Sequence, residues 1–243
     1  MVEFSKLFLL FIIFSFIGFI VEEIIVSITT KEVVNRGFLI GPILPIYGFG
    51  ALFIIKFLGK YQDDLIVLFI LSFVICGTLE YLTSFLLEKI YKVRWWDYSD
   101  KKYNVNGRIT LPFTFMFGLG GVIIMKLFYP VIIKLLNSTP ENILIIVSII
   151  IFVITLVDTI ISANITYNIT STAKNLYSKL PKDNTDEIKN KVFKVLKDNY
   201  FTRRIMKSFP NLTFIKNSFI KIKNGVKNTE KQINNKIRKK KKA

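Results

Sequence analysis

Long apolar stretches alternate along this chain with short polar connections. Five stand out: Lys6 to Ile28, Phe38 to Leu58, Leu65 to Ile90, Ile109 to Leu136 and Asn142 to Asn164. A helical run of about 20 apolar residues crosses a hydrocarbon core about 30 Å thick. The pattern predicts an all-α fold, a polytopic membrane bundle of five helices over residues 1–170, followed by a polar tail over residues 171–243. The first run is too long for the apolar part of a signal peptide and lacks a small-residue cleavage site, so it is read as a retained helix. The fourth, at about 28 residues, is longer than a straight crossing needs. Pro130 with Gly118, Gly120 and Gly121 predicts a kink, a tilt or a break there.

The basic residues set the expected orientation. Lys31 and Arg36 follow the first run, and Lys92, Arg94, Lys101, Lys102 and Arg108 follow the third. The connection from Asn137 to Glu141 has no Lys or Arg. The positive-inside bias then places the first and third connections and the tail in the cytoplasm, with the N-terminus outside. The net charge of +17 belongs almost wholly to the tail, where 21 Lys and Arg face 5 Asp and Glu. Such a tail suits the anionic inner leaflet of a cell membrane. Thr185 to Tyr200 and the stripe Leu212, Ile215, Phe219, Ile222 and Val226 have helical spacing, and the second is amphipathic. Nucleic acid is the weaker reading of this charge, because no recognition motif accompanies it.

Four acids interrupt the apolar runs: Glu22 and Glu23 in the first, Glu80 in the third and Asp158 in the fifth. A charge at the bilayer centre costs about 2.5–3.5 kcal/mol on insertion scales, so these side chains should face the bundle interior or find partners. Helical spacing aligns Ser15, Gly18 and Glu22 on one face. It likewise aligns Gly77, Glu80, Ser84 and Glu88, and Thr155, Asp158 and Ser162. Gly41, Pro45 and Gly48 line the second run, and Thr114, Gly118 and Gly121 the fourth. Small residues let helices approach closely, and packing alone would account for them. The acids add the expectation of one polar seam. Glu22 and Glu23 point about 100° apart, so at most one of them shares it. Glu88 near Lys92 reads as a helix-end cap.

Two loop motifs carry more. Asn35-Arg36-Gly37-Phe38-Leu39-Ile40-Gly41-Pro42, followed by Pro45-Ile46-Tyr47-Gly48, opens the second run. Gly and Pro so close together disfavour a regular helix start, and free N–H groups there could hold an anion beside Arg36. The third connection holds Arg94-Trp95-Trp96-Asp97-Tyr98-Ser99 and Asn104-Val105-Asn106-Gly107-Arg108. Paired tryptophans beside arginines suit a lipid–water interface. Arg108 is a candidate partner for Glu80 or Glu22. The substrate or seam candidates are therefore Glu22, Asn35, Arg36, Tyr47, Glu80, Asp97, Asn106, Arg108 and Asp158.

With the block from Leu79 to Glu88, these motifs resemble the CmpB-like integral membrane family, an ABC-transporter type IV group. Arg203-Arg204 through Phe209-Pro210 is similar to that family's segment after the membrane, and the likeness runs from about residue 5 to 212. It implies a permease-type subunit and assigns no catalytic residue. An ATPase would have to come from another chain, since no G-x-x-x-x-G-K-[ST] loop is present. Five helices make a thin pathway for one protomer, so a homo-oligomer or heteromer is expected. A membrane enzyme on a lipid or other amphiphile is the alternative, with Glu80 or Glu22 as base and Arg36 or Arg108 clamping a headgroup. A non-catalytic regulatory protein working through its tail is a third. The chain has no His and one cysteine, Cys76. That removes Ser-His-Asp machinery, most zinc sites and any intrachain disulfide, and no cofactor or metal is implied.

Overall fold

A computed structural model of the chain describes residues 1–31, 35, 37–179, 200, 204 and 213–214. Helix α1 is Val2–Thr30, and Lys31 ends it in the left-handed conformation with its N–H on Ser27 O. Helix α2 is Pro45–Leu58, closed by a 3-10 turn at Gly59–Tyr61. Helix α3 is Leu65–Tyr91, capped by Asp64, whose carboxylate accepts from Ile66 N and Val67 N. Helices α4 (Leu111–Ile123) and α5 (Tyr129–Ser138) are joined by a π-helical turn, Ile124–Phe128. Helix α6, Glu141–Lys179, runs 39 residues without a break and passes the expected tail boundary at residue 170.

Among the described residues, four helical stretches are long and apolar enough to cross a membrane: Val2–Ile28, Leu65–Tyr91, Leu111–Ser138 and Glu141–Thr172. The second apolar run differs from the expected helix over Phe38 to Leu58. Residues 37–44 are not helical, and α2 has 14 residues, about 21 Å at 1.5 Å per residue. Gly41, Pro42 and Pro45 are the reason. Proline withholds a backbone donor and disfavours helix in the residue before it.

The long fourth run stays helical but changes its winding. Tyr129 N–H bonds to Ile124 O, five residues back. Pro130 has no N–H to give, and its ring would press on the carbonyl four residues earlier in a regular helix. The wider π turn relieves that clash. It also changes the helix's neighbour: α4 packs on α3, whereas Ile132 and Leu136 of α5 join Leu9, Leu10 and Phe14 of α1 and Leu144 of α6. A second cluster, Ile54, Leu58, Leu68 and Met125, ties α2 and α3 to the π turn.

One end of the bundle holds the start of α1, with Ser148 Oγ on Ser5 Oγ (2.9 Å) and Lys6 Nζ on Asn137 Oδ1 (2.9 Å). The other carries short strands that the sequence reading took as loop and tail. Strand β2 (Asn104–Val105) pairs antiparallel with β3 (Ile109–Thr110) as a hairpin. Strand β1 (Val93–Arg94) pairs antiparallel with β4 (Thr213–Phe214). Thr213 and Phe214 fall within the expected second tail helix and are strand. Otherwise the two tail helices lie outside the described residues, Tyr200 apart. Large apolar side chains such as Phe4, Ile28, Ile66, Leu127 and Ile154 are exposed along the helices. That surface would drive aggregation in water and is the natural surface of a membrane bundle.

Candidate functional site

The hairpin end is built around Glu88. Its Oε2 accepts from Arg94 Nε at 2.9 Å and from Arg108 Nη2 at 2.9 Å. Arg94 also reaches Asp97 Oδ2 (3.2 Å), and Arg108 reaches Ser84 Oγ (3.1 Å). The Arg108 guanidinium lies over the rings of Tyr81 (5.7 Å) and Phe85 (5.5 Å), and its carbonyl accepts from Trp96 Nε1 (2.9 Å). The expected pairing of Arg108 with Glu80 or Glu22 is thus corrected, and Glu88, whose carbonyl accepts the Lys92 N–H that closes α3, also uses its side chain to hold both arginines. Arg108 stands three residues before α4, which sets it level with Ser84 and Glu88, one and two turns past Glu80. Burial works against charge on Asp97, but the Ser99 hydroxyl and amide and the Arg94 guanidinium outweigh it and hold this carboxyl below its usual range. Asn106 Nδ2 donates to Tyr81 OH (2.9 Å). Asn106 and Gly107 both take positive φ, 54° and 67°, to turn the hairpin. A side chain at Gly107 would strike Ser99 Oγ and Asp97 Oδ1.

The non-helical stretch 37–44 is held by side chains from far along the chain. Ile40 N–H and Gly41 N–H each donate to Asp158, at 2.8 Å to Oδ1 and 2.8 Å to Oδ2. Ser162 Oγ donates to the same carboxylate (2.9 Å). Asn35 spans the turn, accepting from Gly37 N–H (2.7 Å) and donating to Ile40 O (3.1 Å). Leu44 N–H bonds to Ser15 O, halfway along α1, so the stretch enters the bundle to mid-depth before α2 begins. Arg204, within the segment after α6, donates to Gly37 O (3.3 Å). Burial lowers the proton affinity of Arg204, and the Asp158 charge opposes that. Of the backbone on which an anion was expected, the N–H groups of residues 37, 40, 41, 43 and 44 have partners within the protein. Arg36 lies outside the described residues.

The seam lies between α1, α2 and α3. Glu22 Oε2 accepts from Tyr47 OH at 3.0 Å. Gly18 makes this approach feasible, since a Cβ there would fall on the Tyr47 ring. Glu80 is buried, interacts electrostatically with Glu22, and has Tyr98 as a hydrogen-bond partner. Small residues bring α3 and α4 together below it, where a Cβ on Gly77 would lie 2.6 Å from Thr114 Cγ2. A cavity of about 100 Å³ opens between α2, α3 and α4, bordered by Tyr47, Cys76, Glu80 and Phe117 among others. Glu23 is not in this group; its Oε1 is buried without a hydrogen-bond partner among the described residues.

The sequence candidates therefore form three sets rather than one. Glu22, Tyr47 and Glu80 meet in the seam, Asn35 and Asp158 fix the unwound stretch, and Asp97, Asn106 and Arg108 build the hairpin. Sequence reasoning missed Arg94 and Glu88 as the hub of the hairpin and Tyr98 as the partner of Glu80. The face shared by Glu80, Ser84 and Glu88 was the available signal for the hub.

A polytopic helical membrane protein with a broken second element and a buried acidic seam is thus defined. Residues 9–163 match the family model described as "Putative ABC-transporter type IV" (CmpB), and the chain belongs to that family. No curated protein and no solved structure matches it.

Proposed function

We propose that the chain is the permease-type subunit of an ABC-type transport system, crossing a cell membrane five times with its N-terminus outside and the hairpin end in the cytoplasm. The observation that carries this reading is the unwound stretch 37–44, tied by Asp158 to α6 and running on into the short helix α2. Irregular backbone at membrane depth is tolerated where it is buried in protein or lines a cavity, and transporters place their solute sites at such breaks. The seam of Glu22, Tyr47 and Glu80 lies against that helix and would carry the solute. The family description supports the same reading. The enzyme alternative loses one of its two headgroup clamps, because Arg108 is committed to Glu88 and Ser84; the other, Arg36, lies outside the described residues.

Energy would come from a separate ATP-hydrolysing subunit, docking on the hairpin between α3 and α4. A second copy of this chain, or another subunit, would complete the pathway. The basic residues of 171–243 would rest on anionic lipid. The test is purification of the tagged chain in a mild detergent, with intact mass spectrometry of what accompanies it. A stoichiometric ATP-binding chain, lost when the hairpin is disrupted, is expected. A clean homo-oligomer holding a tightly bound phospholipid would sink the permease reading in favour of the enzyme.

A further inference from the structure

The cavity between α2, α3 and α4 is about 100 Å³, smaller than the roughly 150 Å³ that holds a benzene ring. One carboxyl lies on its otherwise mostly apolar border. Glu80 is 5% exposed, and its Oε2 has no hydrogen-bond partner among the described residues. The groups that face it are Glu22 on α1, Tyr47 on α2, Cys76 one turn earlier on α3 and Tyr98 from the hairpin. None of these brings a positive charge. Arg108, which meets the same face of α3 at Ser84, is held by Glu88. A buried carboxyl on an apolar cavity, with a second carboxyl close enough to repel it, needs a positive charge beside it or a proton on one of the two. Among the described residues no three His, Cys, Asp or Glu side chains gather to hold a metal ion, so the donor set suits a single charge.

We infer that Glu80, with Glu22 and the Tyr47 hydroxyl beside it, binds one small monovalent cationic species, either a proton or an alkali or ammonium ion, in the cavity between α2, α3 and α4. This rests on the permease reading for its purpose, because it names the class of species that reading would move. The binding itself requires no transport.

The experiment uses the full chain purified in detergent. Thermal stability is followed in sodium, potassium, ammonium and choline chloride at equal ionic strength, and across pH in choline chloride. At about ten times the dissociation constant, a bound ion should raise Tm by roughly 3–5 °C. A rise with one small cation over choline assigns the alkali or ammonium ion. A rise with falling pH that is the same in all salts, with a protonated-carboxyl infrared band lost in Glu80→Gln, assigns the proton. Either response should vanish in Glu80→Gln and persist in Glu3→Gln at the exposed start of α1. Should Glu80→Gln fail to fold, Cys76 provides a wild-type reporter at the same cavity: at one fixed pH a bound small cation should slow its labelling by a neutral thiol reagent relative to choline, while a bound proton should show as a protonated-carboxyl infrared band that shifts in Glu80→Asp. A Tm equal in every salt, with a pH dependence that is unchanged in Glu80→Gln or Glu80→Asp, and labelling equal in every salt at fixed pH would overturn the inference and leave the permease reading standing.

Discussion

Glu88→Gln isolates the hub of the hairpin end. The Arg108 side chain is 8% exposed and that of Glu88 19%, so the pair is largely removed from water. Taking away one partner of a buried pair costs about 3–5 kcal/mol, because the other charge stays buried without compensation. Glutamine keeps a carbonyl that can accept one hydrogen bond, which offsets about 1 kcal/mol. The expected loss is therefore about 2–4 kcal/mol. For a chain of this size that lowers Tm by roughly 5–15 °C. Arg94→Gln should cost about 1 kcal/mol, because Glu88 keeps Arg108 and the Arg94 side chain is 21% exposed. Replacing both Glu88 and Arg108 by leucine should recover much of the loss, since no buried charge is stranded. The assay is size-exclusion of heated samples in mild detergent. Glu88→Gln melting within about 2 °C of wild type, or Arg94→Gln falling as far as Glu88→Gln, would refute the reasoning.

Three further perturbations probe other parts of the molecule. Asp158→Asn can satisfy at most one of the two N–H groups at Ile40 and Gly41, so it should cost about 2–3 kcal/mol. A cysteine at Leu39, in a Cys76→Ser background, should then label roughly 30–100-fold faster, and an unchanged rate would show that Asp158 does not hold the stretch. Asp97 has a folded pKa below its ordinary 3.8, so its stabilisation is complete above that value and fades as pH falls through the folded pKa. Asp97→Asn should flatten the decline of Tm on acidification below about pH 4, and an unaltered slope would count against the ion cluster. Gly18→Ala places a methyl on the Tyr47 ring and should cost about 1–3 kcal/mol, whereas Gly120→Ala, with nothing within 4 Å of its Cβ, should be neutral or slightly stabilising. Equal melting of the two variants would contradict this packing.

Hydropathy made the long helices legible because a crossing is chiefly a matter of side-chain transfer energy summed over about 20 residues. The same sum hid the break at 37–44, where Phe38, Leu39, Ile40, Ile43 and Leu44 are as apolar as any helix. Only the glycines and prolines recorded that the backbone leaves its ladder. Pro130 announced an irregularity in the fourth run, but whether it becomes a kink or a π turn depends on which carbonyl each N–H finds. Helical periodicity put Glu80, Ser84 and Glu88 on one face and could not say which of them Arg108 would meet, because that depends on the height at which the hairpin delivers it. Asp158 was marked as out of place in lipid, yet its partners are backbone amides more than a hundred residues away in sequence. No local pattern encodes them.

The pairing of β4 with β1 has a consequence in time. A chain is made from its N-terminus, so α3 and β1 emerge well before Thr213 and Phe214 exist. Throughout that interval the outer edge of β1 is bare, and a bare edge invites any extended segment that passes. The hairpin end can therefore reach its final form only after α4, α5 and α6 have been laid down. A product cut short before residue 213 would carry every helix described above and still show an unfinished edge on β1.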